Sequence, residues 1–275
     1  MDGDLGDFLR SRRARIQPDD VGLPVHGRRR VPGLRREEVA QLAGVSVDYY
    51  IRLEQGRGPS VSDAVLDAIA RVLRLDDTER GYLREVARPR RTSAPVRQRV
   101  RPGLQLLLDT IDKAPAFIFG RRMDVLAWNA LGDAMSGYSR TEPAERNVMR
   151  QVFLSPEACE LYPEWEAVAA ETVAYLRLDA GRHPDDKQLA SLVGELSLKS
   201  EHFRRLWADH LVKEKTYGVK RVLHPVVGEL SLPYESLTVH GDQDQVLVVY
   251  TPEPGSPTAE RIGLLASWAA APARK

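Results

Sequence analysis

The sequence predicts two domains of different fold class: an all-α domain of five short helices over residues 1–87 and an α+β domain over residues 104–275. Three observations lead there. Through residue 87 the apolar residues recur at helical spacing, whereas the later chain mixes helical stretches with short strand-like runs broken by Pro and Gly. Charge divides at nearly the same place. Residues 1–102 hold 21 arginines, no lysine and 15 acidic residues, a net of +6, and the remainder nets −5. Between the halves, RPRRTSAPVRQRVRPG at 88–103 has six Arg, three Pro and no acid. Without a hydrophobic period it reads as an exposed linker.

The bulk numbers suit this division. A chain of 275 residues, 43% hydrophobic and 29% charged, is long enough for two globular domains. No apolar run reaches the roughly 18 residues of a membrane span. The start, MDGDLGDFLRSRR, has no apolar stretch like a secretory leader. The single cysteine, Cys159, excludes an internal disulfide and any Cys-based zinc cluster. A cytoplasmic protein with no membrane partner and no cofactor is expected. A basic half beside an acidic half points to one domain that meets a polyanion and one that does not.

The first predicted helix covers Leu5–Ile16, with Leu5, Phe8, Leu9 and Ile16 as its apolar positions and Arg10, Arg12, Arg13 and Arg15 elsewhere. A Gly/Pro/Arg-rich loop follows from Pro18 to Gly33. Further helices are expected at about 35–43, 47–55, 61–73 and 78–87; the fourth carries Val61, Val65, Ala68, Ile69 and Val72 on one face. After the linker, LQLLLDTI reads as a helix and AFIF with VLAW as a hairpin. Three helical stretches come next, around Trp165–Leu176, Leu189–Leu196 and Phe203–His210. Four strand-like runs follow, GVKRVLH, VVGELSL, ESLTVHG and QVLVVY, separated by Pro225, Pro233 and Gly241–Asp242. A last helix starts at Ser256–Pro257, a favourable cap and first position. Strands, then helices, then strands make an α+β domain.

The informative segment is LRREEVAQLAGVSVDYYIRLEQGRG, residues 34–58. Leu34, Val39 and Leu42 are expected in a core, and Ala40 is small where two helices cross. Gly44 sits at a sharp turn that favours a left-handed conformation. Ser46 can cap the next helix. Tyr50 and Leu53 face inward, leaving Val47, Asp48, Tyr49 and Arg52 outside. Two helices joined by a tight turn, the second with a polar outer face, form the arrangement that enters a major groove.

With its Leu34, Glu38, Ala40, Ala43-Gly44-Val45-Ser46, Leu53-Glu54 and Gly56, this segment resembles the XRE (Cro/cI-like) helix-turn-helix regulators. GLPVHGRRRVPGLRREEVA resembles a subgroup in which that head joins an MmyB-like domain. That domain is matched here by PAFIFGRRMDVLAWN, LWADHLVKEKTYGVKRVLHPVVGELSL and QVLVVYTPEPGSPTAERIGLLAS. The resemblance implies a lambda-repressor-like head at 1–87 and a PAS-like sensing domain at 104–275, with an apolar cavity for a small hydrophobic, fatty-acid-like ligand. It implies sequence-specific transcriptional regulation, with double-stranded DNA as partner and a homodimer on its site. The alternative is a rear domain that serves only dimerisation or protein partners.

By position in the motif, Val47, Asp48 and Arg52 are expected at base edges, and Ser46, Arg35, Arg36 and Gln55 at phosphates. Arg52 can donate to guanine, Asp48 can accept from cytosine, and Val47 can touch a thymine methyl. Tyr49 suits either task. Asp48 serves equally as a partner of the helix N-terminus. Glu54 is expected to brace the fold by pairing with an arginine of the second helix. Arg28, Arg29 and Arg30 reach DNA or simply lie in solvent.

In the rear domain Phe117, Phe119, Trp128, Phe153, Trp165, Tyr175, Trp207 and Tyr250 either fill a core or contact a ligand. Asn129 either caps the helix after it or binds a ligand head group. His210, on the apolar side of its helix, is a hydrogen-bonded core residue or a ligand contact; His224 is open in the same way. Arg121 and Arg122 are solvated or meet an acidic ligand. No enzyme is expected. GxSxG, P-loop, GxGxxG and HExxH motifs are all missing. His202 and His210 lack a third metal ligand, and Glu157 and Glu160 disfavour a Cys159 thiolate.

Overall fold

The computed structural model describes residues 4–24, 31–56, 61–88, 98–213 and 216–270. The chain divides into two compact units. The first contains residues 1–93 with 177–188 and 205–214; the second contains 94–176, 189–204 and 215–275. The sequence reading keeps all of 104–275 together. Packing instead joins two of its segments to the first unit, where Leu178 and Val212 are buried in the core.

Five helices carry the first unit: α1 (Asp4–Arg15), α2 (Arg36–Ala43), α3 (Val47–Glu54), α4 (Asp63–Val72) and α5 (Asp77–Ala87). Their starts are set by local chemistry. Ser46 Oγ accepts from Tyr49 N at 3.2 Å, Ser62 Oγ from Val65 N at 3.4 Å, and Asp76 and Glu79 bond each other's backbone. Gly44 ends α2 with φ +71°, a conformation that costs most side chains. Phe8, Leu9, Leu34, Val39, Tyr50, Leu66, Ile69 and Tyr82 fill the core, with Phe8 and Tyr82 edge to face at 5.0 Å. A Cβ on Gly6 would stand 2.1 Å from Glu54 O, so α1 lies directly against the end of α3.

Two expectations need correction here, and two buried arginines are new. Leu42 is 39% exposed rather than buried; it lies two positions past Ala40, hence on the opposite side of an eight-residue helix. The α4 stripe is turned towards Leu66, Ile69 and Ala70, leaving Val65, Ala68 and Val72 half-buried. Arg12 and Arg13 are buried, 3% and 8% exposed, because each finds a carboxylate inside. Arg28, Arg29 and Arg30 lie outside the described residues.

The second unit is built on a five-stranded antiparallel sheet in the order β2-β1-β5-β4-β3. Its strands are β1 (Ala116–Phe119), β2 (Val125–Trp128), β3 (Tyr217–His224), β4 (Gly228–Val239) and β5 (Asp242–Tyr250). The later helices of the chain are α6 (Pro102–Asp109), α7 (Ala130–Ser136), α8 (Val148–Leu154), α9 (Ala158–Leu161), α10 (Trp165–Arg182), α11 (Lys187–Lys199), α12 (Glu201–Ala208) and α13 (Pro257–Ala270). This is an α+β architecture. Helices α7, α8 and α9 lie in a stretch the sequence leaves unassigned, since none exceeds seven residues and a short helix shows little period. No described helix is long and apolar enough to cross a membrane.

Strand parity sorts the sheet residues. Ala116 and Ile118 face α6, joining Leu104, Leu108, Ala127 and Leu247 in one apolar cluster. Phe117 and Phe119 face the other way. VVGELSL and ESLTVHG do not form separate strands. They share β4, which runs through Pro233 opposite Val219. Pro233 O accepts from Thr251 N, just past the end of β5. The reciprocal bond that a proline cannot donate falls at this same end of the ladder, so the interior of the sheet keeps its bonds. The linker, expected to extend to 103, ends earlier. Gln98 Nε2 donates to Asp244 O at 3.2 Å and Gln245 Nε2 to Arg99 O at 3.1 Å, while residues 89–97 lie outside the described residues.

Candidate functional site

Two places in the molecule have the makings of a site, one in each unit. The first is the outer side of α3. At about 100° per residue, Val47, Asp48, Arg52 and Gln55 fall on one arc, and Tyr50, Leu53 and Glu54 on the opposite one. Exposure follows that division. The first four are exposed, Val47 at 40%; the last three are buried; Tyr49 sits at the border, half-buried. Ser46 is exposed with its hydroxyl used as the cap of α3.

Arg35 and Arg36 open α2. Arg35 is 43% exposed on its side chain, with Nη1 3.5 Å from Glu37. Arg36, also 43% exposed, commits its Nε to Glu54 Oε2 at 2.6 Å. Glu54 thus pairs with an arginine of the second helix, and it has a second partner that sequence reading missed. Arg13 Nε meets Oε1 at 2.7 Å while its Nη1 donates to Leu34 O. Burial alone would raise the Glu54 pKa, but hydrogen bonds from Arg13 and Arg36 outweigh it and hold the carboxyl below its usual value. Burial and the neighbouring Glu54 charge push the Tyr50 hydroxyl well up. These bonds fix the angle at which α1, α2 and α3 meet, and so the attitude of the exposed face.

The second place is a cavity of about 70 Å³ against the sheet face opposite α6. One water needs at least about 10–15 Å³ of such space, so the cavity has room for several waters. Strands supply Phe117, Phe119, Lys220, Val222, Tyr234, Ser236, Val246, Val248 and Tyr250. Helices and turns supply Met123, Met135, Ser136, Tyr138, Val148, Gln151, Leu161, Tyr162 and Tyr175. The wall is mostly aromatic, with Phe117 edge to face with Tyr138 and with Tyr250, each at 6.0 Å. Tyr138 Oη donates to Gln151 Oε1 at 2.8 Å. Lys220 Nζ lies 4.4 Å from the centre of the Tyr162 ring. Burial brings its pKa down to about 8, opposed by the charge of Glu171. Burial also pushes Tyr162 and Tyr234 up to about 12.

Of the ten residues suggested for ligand contact, Phe117, Phe119, Tyr175 and Tyr250 line this cavity and six do not. Trp128 packs beside Tyr138 and under Arg146, outside the cavity. Asn129 is a cap: its Oδ1 accepts from Ala116 N and Gly132 N, and its Nδ2 donates to Ile111 O and Ala114 O, which leaves no group for a ligand. Phe153 and Trp165 belong to a separate aromatic cluster with Phe203 and His202. Trp207 and His210 belong to the first unit. Arg177 lies 3.9 Å over the Trp207 ring, and His210 O accepts from Arg12 Nη2 at 2.7 Å. His210 sits past the end of α12 at φ +51°, not on its apolar face. Burial, with Arg177 and Arg12 adding to it, lowers its pKa to about 4. His224 is also structural, its Nδ1 accepting from Val226 N and Val227 N. Arg122 pairs with Asp124 at 2.7 Å.

Lys220 and the tyrosines beside it are the residues that sequence reading missed. GVKRVLH is visible as a strand, but whether its lysine or its arginine points inward depends on a register that only the neighbouring strands define.

Comparison with known families agrees with both halves. Residues 4–83 match the profile of a helix-turn-helix domain, and residues 100–265 match that of the MmyB-like transcription regulator ligand binding domain. A search of curated proteins finds no match.

Proposed function

The chain belongs to the MmyB-like transcription regulators, and from that premise we propose that it binds duplex DNA sequence-specifically through α3 and answers to a small, largely apolar effector held in the cavity. The observation that carries the DNA reading is the exposed arc Val47-Asp48-Arg52-Gln55 on a helix whose other side is locked by Glu54. Arg52 is assigned to guanine, Asp48 to cytosine or to the start of its own helix, and Val47 to a thymine methyl. Ser46, Arg35 and Gln55 hold phosphates, with Tyr49 at the edge of the contact. Arg36 serves mainly as the brace of Glu54, its exposed end facing phosphate. One such helix reads few base pairs, so the working form is a homodimer on half-sites about one DNA turn apart.

Footprinting across the parent genome followed by titration of the recovered site tests this. Arg52→Ala is expected to lose about 1–3 kcal/mol on that site and to relax the choice at one base pair. Equal weakening on every DNA sequence would refute base reading, and a monomer's mass on the bound operator would refute the dimer.

For the second unit, a sheet with helices around an apolar, aromatic-walled cavity supports a PAS-like sensing domain. The effector is a small hydrophobic molecule, fatty-acid-like ones included. The protein acts by binding and not by catalysis, as a cytoplasmic regulator. Thermal shifts with a panel of apolar metabolites test the sensor. No stabilisation across a broad panel would leave the second unit a dimerisation or partner-binding domain.

A further inference from the structure

Lys220 is the odd member of the cavity wall. Eighteen residues line the space, and none of them is an aspartate or glutamate. Among the described residues no carboxylate lies within ion-pair distance of Lys220 Nζ; its recorded neighbour is the face of Tyr162. Glu171 contributes only a more distant field. Removing an ammonium from water costs several kcal/mol unless a counter-charge or hydrogen-bond acceptors replace the water. A ring face replaces part of it.

We propose that the cavity takes a compact aromatic monocarboxylate, its anion seated on Lys220 and its ring among Phe117, Tyr138 and Tyr250. This rests on the reading of the cavity as the effector site and names the chemistry of its occupant. Three features converge. Lys220 supplies the charge that an anion needs. Tyr162 keeps its proton throughout the physiological range and stands in the same wall as a further donor for a carboxylate's spare lone pairs. Phe117 already meets two neighbours edge to face, a geometry that an inserted ring extends. Space sets the ranking of sizes: a cavity of about 70 Å³ is under half the roughly 150 Å³ that takes one benzene ring, so a compact ring needs a modest parting of the walls and a sixteen-carbon chain a far larger one.

The test uses the full-length protein and three compounds: 1-naphthoate, the neutral 1-naphthalenemethanol of the same shape, and hexadecanoate. Naphthoate is expected to bind at least about tenfold more tightly than the alcohol, about 1.4 kcal/mol. Lys220→Met is expected to erase that preference and Lys220→Arg to retain it. Equal binding of acid and alcohol to the unaltered protein overturns the assignment, as does a preference that survives in Lys220→Met. Tighter binding of hexadecanoate than of naphthoate overturns the compact ring while leaving the cavity as the effector site. No binding of any of the three overturns both. Should Lys220→Met fail to fold, the acid-to-alcohol ratio of the unaltered protein and its persistence in Lys220→Arg still decide.

Discussion

The two units each turn a charge away from open solvent, one fully and one by half, and they treat it in opposite ways. In the first, Glu54 is 2% exposed and is held by Arg13 and Arg36 at 2.7 and 2.6 Å. In the second, Lys220 faces a cavity with an aromatic ring as its close neighbour. A charge whose partners are all supplied from within fixes geometry; here it ties α1 and α2 to the end of α3. A charge left with an unfilled demand on the side of a cavity is available to something that enters. The first kind of group belongs to the scaffold of a surface, the second to the lining of a site.

The largest effect should come from breaking the satisfied one. Glu54→Ala leaves Arg13, 8% exposed, without its counter-ion. Loss of about 3–5 kcal/mol of unfolding free energy is expected in denaturant titration, because removing one member of a buried pair strands the other. Retention of full stability would show that the three charges are bystanders.

How much of this was legible beforehand differs between the units for the same physical reason. In the first unit the determinants are local. Gly44 at φ +71°, the Ser46 cap and the inward pair Tyr50 and Leu53 follow from neighbours within a few positions. Half of the Glu54 brace is nearly as local, since Arg36 and Glu54 stand at the two ends of one helix-turn-helix, 18 positions apart. Arg13 was not legible, because its approach to Glu54 spans 41 positions and depends on Gly6 letting α1 close in. In the second unit the strands were visible and the cavity was not. Phe117 and Tyr250 meet across β1 and β5, whereas Trp128 and Trp165, equally large, turn to other clusters. Aromatic residues announce burial from composition alone; the direction they face comes from register and from helices such as α7 and α8 that are too short to show a period.

Acid should expose the satisfied network more gradually. His210 has a folded pKa near 4 against an ordinary 6.5, so it contributes stability that is complete above about pH 6.5 and lost as pH falls towards 4. The expected loss is at most about 3 kcal/mol. Glu54, with a lowered pKa, contributes stability that is present above its unfolded value and lost as pH falls through the folded one, so its loss comes later. Stability measured from about pH 8 down to about pH 2 should therefore decline in two stages. In His210→Asn the earlier stage should vanish and the later one persist; an unchanged upper stage would clear His210 of responsibility.

A smaller loss is expected at the start of the exposed helix. Ser46→Ala removes the acceptor of Tyr49 N and should cost about 1 kcal/mol of stability. If Ser46 also holds a phosphate, DNA binding falls further than stability does, on all sequences alike. A DNA affinity that is unchanged would confine the hydroxyl to capping.

The smallest effect, and the sharpest contrast with Glu54, is expected at Lys220. Replacing it by Met keeps an unbranched chain of similar length beside Tyr162 and removes an ammonium that no carboxylate among the cavity residues neutralises. A half-buried charge without a close counter-ion contributes little to holding a fold together and costs some desolvation, so the ligand-free variant should match the parent in denaturant midpoint or slightly exceed it. The sign is opposite to that at Glu54, a buried charge where Lys220 is a half-buried one. A loss approaching that of Glu54→Ala would mean that Lys220 already has a counter-charge in the folded chain, and the distinction between a braced charge and a receptive one would fail.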